Sequence, residues 1–181
     1  MEAAFKYLVR SYEILNSVHG DRHPSVGAAC LAVASVLNTG GKFTETREWL
    51  GSAVRFMEEL DPFPQRAVAF ARQQLASVLV KQNYFQEAID VLSLAIQFYY
   101  ENARAGVNKS KNCLTCRKSS TLIYNKTLLN DLHHYFALTQ KIVSLHKKCN
   151  QINQSLEHLL NMVDLSDLAL GWDSLDFGMK R

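Results

Sequence analysis

Gly41-Lys42-Phe43-Thr44-Glu45-Thr46-Arg47-Glu48-Trp49-Leu50-Gly51-Ser52-Ala53-Val54 and Asn83-Tyr84-Phe85-Gln86-Glu87-Ala88-Ile89-Asp90-Val91-Leu92-Ser93-Leu94-Ala95-Ile96 are two copies of one pattern, set 42 residues apart. The shift aligns Phe43 with Phe85, Glu45 with Glu87, Leu50 with Leu92 and Ala53 with Ala95; upstream it aligns Ala34 with Ala76 and Leu37 with Leu79. Self-similarity at a fixed period marks a repeat architecture, and each unit here holds apolar residues three or four positions apart on either side of a short turn. That is a helical hairpin, used twice. The small residues Ala34, Ala53, Ala76 and Ala95 fit this reading, because helices approach to ~8–10 Å only where the facing side chains are short.

Outward from the repeats, Gly20-Asp21-Arg22-His23-Pro24-Ser25-Val26 leads into the first unit. Pro24 suits a helix start because it fixes φ and lacks an amide hydrogen, and Asp21 or His23 can offer an acceptor to the free amides. The matching linker, Glu58-Glu59-Leu60-Asp61-Pro62-Phe63-Pro64-Gln65, ends one helix with prolines before Arg66 begins the next. Ala4, Leu8 and Tyr12 lie 42 residues before Thr46, Leu50 and Val54, so residues 2–18 read as the second helix of a repeat.

With its Gly-x-x-His-Pro-x-Val linker, Gly-Lys-Phe opening and 42-residue period, the stretch 1–105 resembles the tetratricopeptide repeats of kinesin light chains. The resemblance implies an all-α, antiparallel helical-hairpin solenoid: a half repeat at 1–18 and repeats at about 24–61 and 66–105. It implies a concave face made by the first helix of each unit, on which a partner peptide or helix lies. Aligned to that face are Leu31, Ser35 and Asn38 from the first repeat, and Phe70, Gln73, Gln74, Ser77 and Lys81 from the second. Kinesin light chains carry asparagine pairs there, where this chain has Leu31 with Ala32 and Gln73 with Gln74.

Beyond residue 105 the 42-residue spacing is lost, and the sequence reading ends the repeats there, with a boundary near Gly106. Residues 106–130 carry Lys109, Lys111, Arg117, Lys118 and Lys126 among Asn, Ser and Thr, the composition of a basic connector. From 131 to 181, Tyr135, Leu138, Ile142, Leu145, Cys149, Ile152, Leu156, Leu159 and Val163 alternate by threes and fours, which predicts one long amphipathic helix followed by an acidic, apolar tail. The expectation is that this helix caps the solenoid, with the pairing of two copies as the alternative. In the tail, Trp172, Leu175 and Phe177 form a further candidate binding element; Trp172-Asp173-Ser174-Leu175 resembles the aromatic-x-x-aliphatic core of autophagy-receptor motifs.

Composition limits the functions open to the chain. Of 181 residues 48% are hydrophobic and 20% charged, enough apolar surface for a packed core, without an unbroken apolar run of membrane-spanning length. The net charge of +3 is far from the concentrated basic patch of a nucleic-acid binder, so neither nucleic acid nor a membrane span is expected. Cys113 and Cys116 are spaced as a metal or redox pair, yet His133 and His134 are adjacent on a helix and diverge by ~100°, which is poor geometry for the rest of a zinc site. No glycine-rich phosphate loop or His-Glu-x-x-His occurs. The expectation is a non-catalytic, cytoplasmic adaptor or scaffold without a cofactor, whose partner is another protein and whose C-terminal helix offers a route to self-association. The alternatives are a small metal- or redox-linked protein using Cys113 and Cys116, or a shortened isoform of a larger repeat protein.

Overall fold

The computed structural model describes residues 2–20, 22–60, 62, 64–112 and 126–170. Among them are α1 (Glu2–His19), α2 (Pro24–Thr39), α3 (Phe43–Glu58), α4 (Gln65–Lys81), α5 (Phe85–Asn112), α6 (Lys126–Lys148) and α7 (Ile152–Leu170), and no strand. The chain divides into two compact units, Met1–Ala95 and Ile96–Arg181, with α5 contributing to both.

In the first unit, α2/α3 and α4/α5 begin the two hairpins that the 42-residue period predicts. The start of α2 is built as its residues dictate: Pro24 occupies the first turn, and the Nδ1 of His23 accepts the amide of Ser25 at 3.2 Å. The core joins α2, α3 and α4 through Val26, Cys30, Ala53, Phe56, Met57, Val68 and Ala71. Gly27 matters here, because a Cβ at that position would lie 2.7 Å from the Cγ of Met57. Tyr12 of α1 meets Trp49 of α3 edge to face, ring centres 5.0 Å apart, so α1 packs against the first hairpin.

The turn between α2 and α3 is a Schellman motif: Lys42 N–H donates to the Leu37 carbonyl at 3.0 Å, Gly41 N–H to Asn38 at 3.1 Å, and Gly41 has φ of +75°. The α4/α5 turn repeats it, with Tyr84 N–H on Leu79 at 2.9 Å, Asn83 N–H on Val80 at 3.1 Å, and Asn83 at φ +64°. Asparagine tolerates this left-handed conformation better than other non-glycine residues, which is why the second copy has no glycine there.

Three sequence expectations change in the second unit. The boundary near Gly106 falls inside α5, which continues to Asn112 because Tyr99, Ala103 and Val107 extend its apolar stripe and are all buried. Gly106 lets α6 come close, since a Cβ there would lie 2.8 Å from a methyl of Leu128. The connector 106–130 is therefore helical at both ends, as α5 and α6, while 113–125 lie outside the described residues.

The helix expected from 131 onward is two helices. Asn150, at φ +58°, breaks it; Gln151 N–H donates to the His146 carbonyl at 2.8 Å and Asn150 N–H to Lys147 at 3.3 Å. These are the same two bonds and the same left-handed residue found in the earlier turns. The repeats thus do not stop near 105: α6 and α7 form a third hairpin, with its turn 67 residues after Asn83 instead of 42. Its inward positions follow the register, Tyr135, Leu138 and Leu145 lying buried where the second repeat has Val68, Ala71 and Val78. At the place of Leu37 and Leu79 stands His146, 2% exposed.

Candidate functional site

The groove lies on the first unit, between the first helices of the two repeats. Leu31, Ala34, Ser35 and Asn38 of α2, Thr46 and Leu50 of α3, and Phe70 and Gln74 of α4 enclose a cavity of ≈170 Å³. Helix spacing explains the gathering. Leu31, Ser35 and Asn38 follow one another by four and three and so share one face of α2; Phe70 and Gln74 share a face of α4. Each of these helices also presents an opposite face to the core, through Val26, Cys30 and Val33 on one and Val68 and Ala71 on the other. Phe70 stands 45% exposed, unusual for a phenylalanine on a packed helix.

Of the eight residues predicted for this face, Leu31, Ser35, Asn38, Phe70 and Gln74 come together around the cavity. Lys81 joins them indirectly: its ammonium donates to the Oδ1 of Asn38 at 2.9 Å and sits 4.9 Å from the centre of the Phe43 ring. Lys81 thus fixes the Asn38 amide with its carbonyl turned toward α4, which leaves the amide N–H₂ as the donor end. Gln73 and Ser77 do not line the cavity, although the side-chain oxygen of Gln73 is buried without a hydrogen-bond partner among the described residues. Thr46 and Leu50 of α3 form part of the lining that the reading of the first helices alone omitted. Thr46 is fully buried because its hydroxyl donates to the Lys42 carbonyl at 2.7 Å, a bond that satisfies it in an apolar setting.

The framework around the groove is braced by charge. Arg47 of α3 reaches Glu87 of α5 at 2.6 Å while lying over the Tyr84 ring, and Arg72 of α4 reaches Glu58 of α3 at 2.6 Å. The cavity lining itself carries no charged side chain; the ammonium of Lys81 is the neighbouring cation. Its chemistry is amide, hydroxyl and apolar. A second, larger hollow of ≈390 Å³ between α1 and α2 is lined by Glu2, Phe5, Lys6, Val36, Leu37, Gly40 and Lys42, and nothing in the sequence reading anticipated it.

Elsewhere, His134 stacks on Tyr99 with ring centres 5.1 Å apart, a packing role instead of a ligand's. No group of three His, Cys, Asp or Glu among the described residues is placed to hold a metal ion. Cys113, Cys116 and the tail residues Trp172, Leu175 and Phe177 lie outside the described residues. No helix among the described residues is long and apolar enough to cross a membrane.

No family model matches the chain. KINESIN LIGHT CHAIN-RELATED 3 of Arabidopsis thaliana is 25% identical to it over 95 residues, 51% of this chain and 14% of the relative's own length. Crystal structures of kinesin light chain TPR-like repeats from Podosopora anserina align with it at TM-scores of 0.47 and 0.48 and identities of 15% and 13%, covering 92% and 97% of this chain and 87% and 88% of theirs. Hairpins on a 42-residue period, closed by one recurring turn, define the class: the fold is an all-α repeat of the tetratricopeptide type. Within that class the chain is similar to kinesin light chains, and it spans about one seventh of the curated relative it matches.

Proposed function

We propose that the protein is a non-catalytic adaptor that binds an extended segment of another protein across the α2/α4 face. The observation that carries this reading is the convergence of Leu31, Ser35, Asn38, Phe70 and Gln74, from two successive repeats, on one uncharged cavity. Apolar side chains at Leu31 and Phe70 supply a socket for one large side chain of the ligand. The amides of Asn38 and Gln74 stand at its edge, where they can bond the ligand's backbone. Lys81 biases the ligand toward an acceptor, such as a backbone carbonyl or a carboxylate, near Asn38. The cytoplasm is the compartment in which we place this activity.

Selection of a displayed random dodecapeptide library on the full chain tests the reading, with calorimetry on the recovered peptides. Recovered peptides share a large apolar residue, and their affinity falls about tenfold or more with Phe70→Ala, as loss of a central aromatic anchor predicts. Failure to enrich any sequence, or enriched peptides indifferent to Phe70→Ala and Gln74→Ala together, would overturn it.

A further inference from the structure

Among the described residues, nothing covers the outer face of α7. Ile152, Leu156, Leu160 and Val163 are 61%, 51%, 65% and 50% exposed, four large apolar side chains in one stripe. In the register of the repeats this face is a buried one: Ile89 and Ile96 hold the places of Leu156 and Val163 on α5, both buried, and Val54 on α3 packs against the cluster containing Val68 and Ala71 of α4. The second helix of the first hairpin gives this face to the helix that follows it.

We propose that α7 gives it to α7 of a second copy, in an antiparallel pair about a two-fold axis near His158. The stripe is itself close to symmetric about that point. Ile152 and Val163 stand five or six residues on either side of it, and Leu156 and Leu160 stand two. Turning one helix against another about this axis sets each β-branched residue opposite a β-branched residue and each leucine opposite a leucine. A two-fold interface requires such self-complementarity.

Charge selects the same arrangement. The turn before α7 carries the exposed Lys147 and Lys148; after it, Glu157 and Asp164 are exposed acids, and no Lys or Arg occurs from 149 to 170. Antiparallel pairing carries the lysines of one copy toward Asp164 of the other, while parallel pairing would set Asp164 against Asp164; Glu157, one residue from the axis, meets its mate in either arrangement. This inference does not depend on the peptide reading, which concerns other helices.

Sedimentation equilibrium on the full chain tests it, together with the chains carrying Leu156→Glu and Leu160→Lys. Both positions are half-exposed or more, and circular dichroism reports whether the variants keep their helix content. The full chain is expected to be a dimer, and each variant to weaken it about 100-fold or more by burying an unpaired charge. An equimolar mixture of the L156E and L160K chains regains the dimer, because the two-fold sets those two positions opposite each other. A full chain that stays monomeric at 100 µM overturns the proposal. So does a dimer indifferent to both substitutions, or a mixture no better than its components. If only a chain with Trp172→Ser and Phe177→Ser dimerises, the 171–181 segment occupies the face and the proposal fails.

Discussion

His146→Leu should stabilise the protein, against the usual direction of core substitutions. The imidazole is 2% exposed, and it holds the position that Leu37 and Leu79 hold in the other two hairpins. Its Nδ1 bonds the Gln151 side-chain oxygen at 2.8 Å, but its Nε2 is buried without a hydrogen-bond partner among the described residues. A buried unsatisfied polar atom costs ~1–3 kcal/mol, while the Gln151 bond contributes ~0.5–1.5 kcal/mol. Leucine removes the first, loses the second, and adds apolar surface of a volume the site already accepts in two sister positions. The balance is about 1–2 kcal/mol of stabilisation, or ~3–6 °C in Tm for a chain of this length. The assay is urea and thermal unfolding followed by circular dichroism at pH 7, with amide exchange of α6 and α7 to localise the gain. A Tm lowered by a few degrees would refute the reasoning. It would mean that the Nδ1 bond to Gln151, not the shape of the site, holds the third turn together.

Further outcomes follow from the same structure. Burial first, and the neighbouring His146 second, lower the pKa of His158 from 6.5. The unfolded chain therefore binds the proton more readily, and stability falls as the pH drops below about 6.5; the fall should be smaller in His158→Gln, read as Tm against pH. Burial pushes Tyr135 up to about 12 from 10.0, so the phenol stays neutral in the fold while its unfolded counterpart ionises. Stability linked to it is intact below pH 10 and lost between 10 and 12, and one tyrosine should ionise late in an absorbance titration at alkaline pH. Asn83→Val places a β-branched residue at φ +64° and should cost ~1–2 kcal/mol in urea unfolding, whereas Asn83→Gly should cost little or nothing.

The first two hairpins were legible because their markers are local. A 42-residue shift superposes Phe43 on Phe85 and Ala53 on Ala95, and the structure places hairpins there. The third hairpin was hidden for two physical reasons. Lengthening of α5 and the connection after it set the turn 67 residues after Asn83 instead of 42, and its register replaces Ala76, Leu79 and Ala95 with Val143, His146 and Met162, so no marker of size survives. Threefold and fourfold spacing also runs through the Cys149-Asn150-Gln151 turn unbroken, and periodicity alone reads a hairpin with matched faces as one helix. Asn150 was the available signal, since it repeats the role of Gly41 and Asn83.

At the candidate site, position on α2 and α4 was enough to group Leu31, Ser35, Asn38, Phe70 and Gln74, which line one cavity. It could not separate them from Gln73 and Ser77, which lie about 100° from Gln74 or a turn away and miss the cavity. The part played by Thr46 and Leu50 depends on how closely α3 packs between α2 and α4, a tertiary distance that no single helix encodes.

The central claim is that the α2/α4 face is a binding groove, and the most direct measurement is the amide chemical-shift footprint of a library-selected peptide on the isotopically labelled chain. The account predicts that the largest shifts fall on Leu31, Ser35, Asn38, Phe70 and Gln74 and on the amides beside them. Shifts concentrated instead around Phe5, Lys6 and Leu37 in the α1/α2 hollow, or along α7, would contradict it.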